Sequence, residues 1–457
     1  MESEARYEEW RGTAGLRMSE GAWFPQTLSE HQLQAHWFAG DFGRHFITRS
    51  GSRMEVVQFG IWNHQAGPDF AEAAVSLDGQ APVRGCIELD PDVRDWERHG
   101  HASNPDYESV ALHAFTTHGS EEFFTRTLLH RNVPQVLLDL TRLKGAALNS
   151  QPEAKPGRCL AVLGRLPEEK LRAILHEAAR FRLQHKAAAL ATLAELHGPD
   201  EALYQGLAAA LGYKSNKLPF TLLAQRLPLR TVLKNKADAD AWYFGMSGFL
   251  NATDLGDMDA PTRVYLRSLW ERWWPRRLDF ERLRIAPALW KMSGQRPANH
   301  PQRRLAALAQ IVRHWSAVRA LTEHCDPGEV QRYFHTLRDD YWEHHFTVTS
   351  KAQTAKMAIV GASRVSELLL NVFFPIAFNS TPQCWNAYQK LPAVLGNRRV
   401  EIAATRLFGD SARRHTLLKS AALQQGLLQI YEDFCMQDAS DCARCPFPEQ
   451  LARWGTD

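Results

Sequence analysis

The sequence predicts an α/β domain at the N-terminus, followed by a large, mainly α-helical region. Short apolar runs bounded by Gly, Pro, Asn or Asp fill about the first 145 residues, a pattern typical of strands. From Leu166 onward, apolar residues recur at helical spacing, and Pro and Gly separate successive stretches. Between Leu148 and Gly157 the composition turns to Asn, Ser, Gln, Pro, Lys and Gly, which indicates a linker.

The individual elements follow from these patterns. A helix is predicted from Leu28 to Phe38, with Ser29 as its N-cap. The predicted strands are Met54–Gly60, Glu72–Leu77, Val83–Leu89, Ser109–Phe115 and Gln135–Leu140. We therefore expect an α/β domain over 1–150, a helical region over 158–430 and a cysteine-bearing tail over 431–457.

Composition restricts the class of protein. A chain of 457 residues is too long for one ordinary core, so two or three domains are expected. A net charge of +3 does not indicate a strongly basic nucleic-acid binder, although it permits a local basic groove. No apolar run approaches the roughly 20 residues that span a bilayer, and the acidic start lacks a signal-peptide core. We predict a cytoplasmic protein with no membrane partner; the sequence indicates no oligomeric state.

Two carboxylates stand where neighbouring strands would place them together. Pro68-Asp69 comes just before one predicted strand, and Glu88 lies on the next, with eighteen residues between Asp69 and Glu88. Strand alternation puts Asp90 on the same face as Glu88, and Glu30 on the preceding helix is a further oxygen donor. Oxygen ligands suit Mg²⁺ or Mn²⁺, and such an ion polarises a phosphodiester and activates water. In the alternative interpretation, Asp69 caps a turn and Glu88 forms a salt bridge.

Histidines follow directly along the chain. His99 and His101 flank Gly100 in a predicted loop, where they would bind a transition metal or act as a general base. His113 is interpreted as a strand histidine that is hydrogen-bonded within the sheet. The predicted metal ligands are Glu30, Asp69 and Glu88. The predicted catalytic residues are Asp69, Glu88, Asp90, His99 and His101.

A second motif lies near the C-terminus, at Cys435, Cys442 and Cys445. Thiolates at such spacing bind zinc or an iron–sulfur cluster. The spacing resembles the iron–sulfur loop of endonuclease III-type DNA glycosylases, but Leu451 occupies the position of that loop's fourth cysteine. The sequence leaves the fourth ligand open, with three cysteines and any non-cysteine residue as candidates. These cysteines are Cys159, Cys325 and Cys384. The alternative is a set of reduced, partly buried thiols with no metal.

The order of Pro68-Asp69 and then a strand carrying Glu88 resembles the PD-(D/E)XK motif of the restriction-endonuclease-like nucleases. That resemblance leads one to expect a lysine two residues after the glutamate, but the chain has Asp90 there and no lysine before Lys144. Arg94, Arg98 or one of the two loop histidines would have to replace it.

Nearly end to end, the chain also resembles a bacterial family catalogued only as domain of unknown function 2851, which implies a uniform architecture but no established activity. The matching stretches are Gly67–Phe70, Gly85–Glu88, Asp95-Trp96, His99–His101, Leu112-His113, Phe244–Leu250, Arg296–Asn299 and the final cysteine set.

The nuclease resemblance implies a Mg²⁺- or Mn²⁺-dependent enzyme that hydrolyses phosphodiester bonds in DNA or RNA. Asp69 and Glu88 would be its metal ligands, with Glu30 as an auxiliary ligand. One alternative is an inactive module that keeps the fold and binds nucleic acid or a protein partner, which Asp90 in place of lysine favours. The other is a metal-dependent hydrolase with a histidine–carboxylate site and a different substrate.

Overall fold

The computed structural model describes residues 30–38, 40–63, 67–118, 122–143, 156–250, 258–292, 296–394, 397–409, 411–435 and 445–456. The predicted N-cap Ser29 and the motif residue Cys442 lie outside this set. The described residues form two compact units. The first comprises those within 1–179, 397–419 and 423–457, and the second comprises those within 180–396 and 420–422. The boundaries expected near 150 and 430 remain predictions from the sequence.

A seven-stranded mixed sheet forms the N-terminal part of the first unit, which confirms the coarse α/β prediction. The strands are β1 His45–Ile47, β2 Arg53–Gln58, β3 Ile61–Trp62, β4 Phe70–Leu77, β5 Val83–Asp92, β6 Val110–Thr117 and β7 Gln135–Leu137. Their order is β1-β2-β4-β5-β6-β7, and β3 also pairs with β4. The pairs up to β4–β5 are antiparallel, whereas β5–β6 and β6–β7 are parallel.

Strand β5 lies inside the sheet, and its segment from residue 87 to residue 90 is buried on both faces. Ile87 and Leu89 are fully buried on one face, and Glu88 and Asp90 are buried on the other. Gly85 permits β6 to approach closely, because a Cβ at that position would lie 2.3 Å from the Ser109 carbonyl oxygen. The segment of β5 that carries Glu88 and Asp90 is therefore enclosed by the neighbouring strands and is not exposed at an edge of the sheet.

Helix α1, Glu30–Phe38, packs on this sheet through aromatic side chains. The Trp37 ring centroid lies 5.7 Å from that of Phe46 and 5.3 Å from that of Phe59, and all three side chains are buried. Because residues four apart share one helix face, this packing also fixes the direction of Glu30 and Gln34. The helix thus brings polar side chains to the start of β4.

The remainder of the described chain is mainly α-helical, as predicted. The helices after β5 are α2 Asp95–Arg98, α3 Cys159–Leu163, α4 Glu168–His197, α5 Pro199–Arg226, α6 Leu229–Leu233, α7 Ala239–Met246, α8 Ala260–Trp273, α9 Pro301–Arg313, α10 Trp315–His324, α11 Pro327–Thr336, α12 Ala362–Leu368, α13 Phe374–Ser380, α14 Trp385–Gln389, α15 Arg398–Phe408, α16 Ala412–Leu417, α17 Ala421–Ile430 and α18 Phe447–Thr456. Segments Leu369–Phe373 and Tyr431–Cys435 are π-helical turns. None of the helices in the described ranges is both long enough and apolar enough to cross a lipid bilayer.

Candidate functional site

Asp69 lies just before β4, where hydrogen bonds hold both of its carboxylate oxygens. Its Oδ1 accepts a hydrogen bond from Gln34 Nε2 at 2.5 Å, and its Oδ2 accepts one from the Leu89 backbone N–H at 3.0 Å. Gln34 Nε2 also donates to Glu30 Oε1 at 3.1 Å, and Trp62 Nε1 donates to Gln34 Oε1 at 3.0 Å. One amide therefore links the predicted ligands Glu30 and Asp69.

Glu88 is the neighbour of Asp69 on the adjacent strand. Its Oε2 accepts a hydrogen bond from the Asp69 backbone N–H at 2.9 Å, and its Oε1 lies 3.1 Å from His101 Nε2. Burial raises the pKa of Asp69 well above its ordinary value, and repulsion from Glu88 raises it further. Burial likewise raises the pKa of Glu88, with repulsion from Asp90 as the next cause. Glu88 thus lies close enough to oppose the ionisation of Asp69, as Asp90 opposes that of Glu88.

Asp90 is fully buried, with imidazoles on two sides. Its Oδ1 lies 3.3 Å from His99 Nδ1, and its Oδ2 lies 3.2 Å from His113 Nε2. Neither contact has hydrogen-bond alignment, and the Asp90 oxygens accept no hydrogen bond within the described ranges. The ligand atoms of Asp90, His99 and His101 all lie within 4.8 Å of one another. The structure therefore joins three of the predicted catalytic residues into a group that can hold a metal ion.

The loop after β5 positions the two histidines. Helix α2 ends at Arg98, with His99 as its C-cap, and Gly100 adopts a left-handed conformation with φ of 75°. This turns the chain into a 3₁₀ turn that begins at His101. His101 is buried and stacks on Tyr107, with ring centroids 3.9 Å apart. The His99 side chain is 44% exposed, so the group reaches solvent at this residue. Burial lowers the pKa of His101, which favours the neutral imidazole that binds metals.

Sequence reasoning missed two side chains of this cluster. Gln34 follows Glu30 by one helical turn, and that spacing was the available signal. Tyr107 gave no signal, because its stacking on His101 depends on the path of the loop. His113 lies on β6, but its Nδ1 is hydrogen-bonded at 2.7 Å to Thr125 Oγ1, which lies outside the strands, and its Nε2 faces Asp90.

The arginines that were candidates to replace the motif lysine have other partners. Arg94 Nη2 lies 2.8 Å from Asp92 Oδ2, and Arg98 Nη1 lies 2.9 Å from Asp95 Oδ1. Both arginine side chains are more than half exposed. Within the part of the chain that the structure describes, no lysine or arginine forms an ion pair with Asp69, Glu88 or Asp90. The buried acidic residues therefore lack the cationic side chain that usually accompanies such groups.

The structure describes two of the three cysteines of the C-terminal motif, Cys435 and Cys445. Cys435 ends a π-helical turn, Cys445 lies two residues before α18, and both are buried. Phe434 stacks on Phe447 with ring centroids 4.5 Å apart, which brings the two ends of the motif together. Cys442 falls outside the described residues, so the ligand set as a whole stays a prediction.

The three candidate fourth ligands differ in location. Cys159 belongs to the same compact unit as Cys435 and Cys445, whereas Cys325 and Cys384 belong to the other unit. Arg158, beside Cys159, forms an ion pair with Glu449 on α18. Burial raises the pKa of Cys325 to about 12 and that of Cys384 to about 11, which disfavours their thiolates.

Comparison with known proteins adds a family. A family model described as "Protein of unknown function (DUF2851)" matches residues 30–394, which is more than half of the chain. No curated protein matches the sequence significantly. No solved structure matches it significantly either.

Proposed function

The chain belongs to the DUF2851 family, and we propose that it is a divalent-metal-dependent phosphodiesterase that acts on DNA or RNA. One observation carries the proposal: Asp69, Glu88 and Asp90 are buried side by side, and no described lysine or arginine pairs with them. Buried negative charge that no cationic side chain neutralises favours the binding of a proton or a metal cation.

A cation bound here would polarise the phosphodiester and lower the pKa of a water molecule. The predicted ligands for Mg²⁺ or Mn²⁺ are Glu30, Asp69 and Glu88, and the hydrogen bonds of Gln34 orient the first two. Hydrolysis adds water across one P–O bond, so a base must accept a proton from the water. His99 or His101 is the predicted base or phosphate contact, and burial lowers the pKa of His101, which favours its neutral form.

The nuclease resemblance supports the proposal through two residues. Asp69 follows Pro68 immediately before one strand, and Glu88 lies on the antiparallel strand beside it, which is the order of the PD-(D/E)XK motif. At the position of the motif lysine, Asp90 is buried beside two histidines. In the proposed enzyme, the imidazoles of His99 and His113 therefore lie beside the position that the motif lysine would occupy.

A second candidate function is an inactive module that binds nucleic acid or a protein partner. It is favoured by the absence of the lysine and by the pairing of Arg94 and Arg98 with surface carboxylates. For a nucleic-acid partner, it predicts binding that weakens with salt and is not followed by cleavage. A third candidate, a metal-dependent hydrolase of another substrate, is favoured by the two loop histidines beside Asp90.

The test uses the full-length protein after removal of metals with a chelator. Labelled single- and double-stranded DNA and RNA are incubated with Mg²⁺ or Mn²⁺ and with wild type, Asp69→Ala or Asp92→Asn. We expect cleavage by wild type and by Asp92→Asn, but none by Asp69→Ala. Asp92 is the control because its carboxylate in wild type pairs with Arg94. If wild type and Asp69→Ala are equally inert with every metal, the enzyme proposal fails, and salt-dependent binding then tests the inactive module.

For the C-terminal motif we propose an iron–sulfur cluster or a zinc ion bound by Cys435, Cys442 and Cys445. The stacking of Phe434 on Phe447 supports it, because it brings both ends of the motif together. Iron, sulfide and zinc analysis of anaerobically purified protein tests the proposal, with Cys442→Ser as the variant and Cys86→Ser as the control. We expect wild type and the control to contain iron with sulfide, or one zinc ion per chain, that Cys442→Ser lacks. Absence of iron and zinc from wild type would contradict the proposal.

A further inference from the structure

Asp90, His99 and His101 have the composition and spacing of a transition-metal site. Their ligand atoms lie within 4.8 Å of one another, and His99 Nδ1 lies 3.3 Å from Asp90 Oδ1. Two atoms that bind one ion at about 2.1 Å lie about 3.0 Å apart at a right angle and about 3.4 Å apart at a tetrahedral angle. The observed separation falls between these values, so one ion can contact both atoms.

The buried atoms of this group also lack other partners. Both oxygens of Asp90 and the Nε2 of His101 are buried and form no hydrogen bond with any residue of the described ranges. His101 Nε2 lies 3.1 Å from Glu88 Oε1, but without hydrogen-bond alignment. An ionised carboxylate is unfavourable in such surroundings unless a cation or several donors contact it. Asp90 Oδ1 and His101 Nε2 are therefore available to an ion, whereas Asp90 Oδ2 faces His113 Nε2 at 3.2 Å.

A chain of hydrogen bonds leads to Asp90 through His113. It resembles the networks that orient metal ligands in other proteins. Gln135 Nε2 donates to Thr125 Oγ1 at 2.7 Å, and the Thr125 hydroxyl can donate in turn to His113 Nδ1, also at 2.7 Å. That direction leaves the proton of neutral His113 on Nε2, which faces Asp90 Oδ2 at 3.2 Å. Outer groups of this kind orient the carboxylates that bind metals.

We infer that Asp90, His99 and His101 bind a transition-metal ion of the class of Mn²⁺, Fe²⁺, Co²⁺ or Zn²⁺ in preference to Mg²⁺. Two imidazole nitrogens beside one carboxylate suit such ions, whereas Mg²⁺ prefers oxygen ligands and retains its waters. The inference deepens the proposed function, on whose cation it rests, by naming the ion class and the ligands. It makes His99 and His101 ligands rather than bases, so Glu88, whose Oε1 lies 3.1 Å from His101 Nε2, would accept the proton from the water in their place.

Cobalt titration tests the ligand set on full-length, chelator-treated protein. Every protein in this titration, including the wild-type reference, carries Cys442→Ser, so that the proposed C-terminal cysteine site does not also bind Co²⁺. We expect Co²⁺ to bind about 100-fold more tightly than Mg²⁺ by calorimetry and to produce ligand-field absorption in the visible range. His99→Ala should lower the Co²⁺ affinity about 100-fold and remove the absorption. Because the His99 side chain is 44% exposed, this variant should retain the fold, which circular dichroism verifies. His130→Ala, at an exposed loop histidine, is the matched control and should bind as wild type does.

A second pair of variants tests the carboxylate. Asp90→Asn keeps the shape of the side chain and should also lower Co²⁺ affinity about 100-fold, while Asp92→Asn on the same strand should not. Equal affinity for Mg²⁺ and Co²⁺, or unchanged Co²⁺ affinity in both His99→Ala and Asp90→Asn, would overturn the inference. Hydrolysis is measured separately: histidine-dependent Co²⁺ binding without cleavage defeats only the proposed function. Mg²⁺-dependent cleavage that survives His99→Ala defeats only the inference.

Discussion

Two regions of the molecule bury carboxylates and treat them in opposite ways. In the helical unit, Asp240 on α7 is buried between Arg272, at 2.6 Å, and Arg313, at 2.7 Å. These arginines hold the pKa of Asp240 below its ordinary value in spite of the burial. In the sheet, burial without an arginine or lysine raises the pKa values of Asp69 and Glu88. The same chemical group is therefore paired with arginines in one region and left without a described lysine or arginine partner in the other.

The contrast separates a carboxylate whose partners satisfy it from carboxylates that the described side chains leave unsatisfied. Asp240 and its two arginines satisfy one another, and nothing in this arrangement calls for a ligand. Around Asp90, by contrast, imidazoles lie close to buried oxygens that accept no hydrogen bond within the described ranges. Perturbed carboxylates with unsatisfied neighbours are typical of sites that bind ions or act in catalysis.

The largest expected effect comes from Glu88→Gln. We call Asp69, Glu88 and Asp90 the sheet cluster. If the sheet cluster contacts the catalytic cation, Glu88→Gln should lower the rate of phosphodiester cleavage by about three orders of magnitude, because an amide oxygen is a much poorer cation ligand than a carboxylate oxygen. Cleavage kinetics at saturating Mn²⁺ measure the loss. Glu97→Gln, at an exposed glutamate on α2, is the control and should cleave like wild type. Unchanged activity in Glu88→Gln would remove the sheet cluster from the mechanism.

The next effect concerns the paired region. Arg272→Met should lower the free energy of unfolding by about 2 kcal/mol, because it removes two hydrogen bonds from a buried carboxylate that Arg313 alone then has to satisfy. Denaturant titration monitored by circular dichroism provides the measurement. Arg319→Met removes an exposed pair with Asp200 and should change stability by less than about 0.5 kcal/mol. Equal effects from both variants would show that burial does not distinguish the pairs.

The two regions should also respond oppositely to pH. A raised pKa means that the folded protein binds protons more tightly, so Asp69 and Glu88 stabilise it near and below pH about 4 and lose that contribution as pH rises through their folded pKa values. The lowered pKa of Asp240 stabilises the protein above its ordinary value of about 3.9, and this contribution is lost as pH falls through the folded pKa.

The measurement is the thermal midpoint of the metal-free protein between pH about 4 and 8, a window set by the ordinary carboxyl pKa and neutrality. As pH rises, the thermal midpoint of wild type should fall relative to that of Glu88→Gln, and this difference isolates the contribution of Glu88. Saturating Co²⁺ should abolish that decline, because the ion replaces the protons. A difference that grows in the opposite direction would mean that the acidic residues are satisfied without a cation.

The smallest effect is expected from the surface arginines. Arg94→Ala and Arg98→Ala remove exposed pairs with Asp92 and Asp95, so each should change stability by less than about 0.5 kcal/mol. Cleavage should also change less than about threefold, since neither guanidinium contacts the buried acidic residues. A loss of activity as large as that of Glu88→Gln would instead assign one of them the role of the motif lysine.

Parts of the candidate site could be predicted because strands alternate. The period of two places Glu88 and Asp90 on one face, and both are buried there. The proximity of Asp69 to Glu88 followed from the expectation of adjacent strands, which the pairing of β4 with β5 provides. The partner of each oxygen could not be predicted. The hydrogen bond from Gln34 to Asp69 depends on the angle at which helix α1 packs on the sheet. The contact of His99 with Asp90 depends on the path of the chain after β5.

The sequence by itself determined the strand-rich start, the helical remainder and the residue types that can bind a cation. These properties are local, since they follow from periodicity, turn residues and side-chain chemistry. Only the tertiary structure decided which acidic residues remain without an arginine and which histidines approach them. Those contacts join residues that are distant along the chain, and the parallel register that pairs Glu88 with His113 has no local signal.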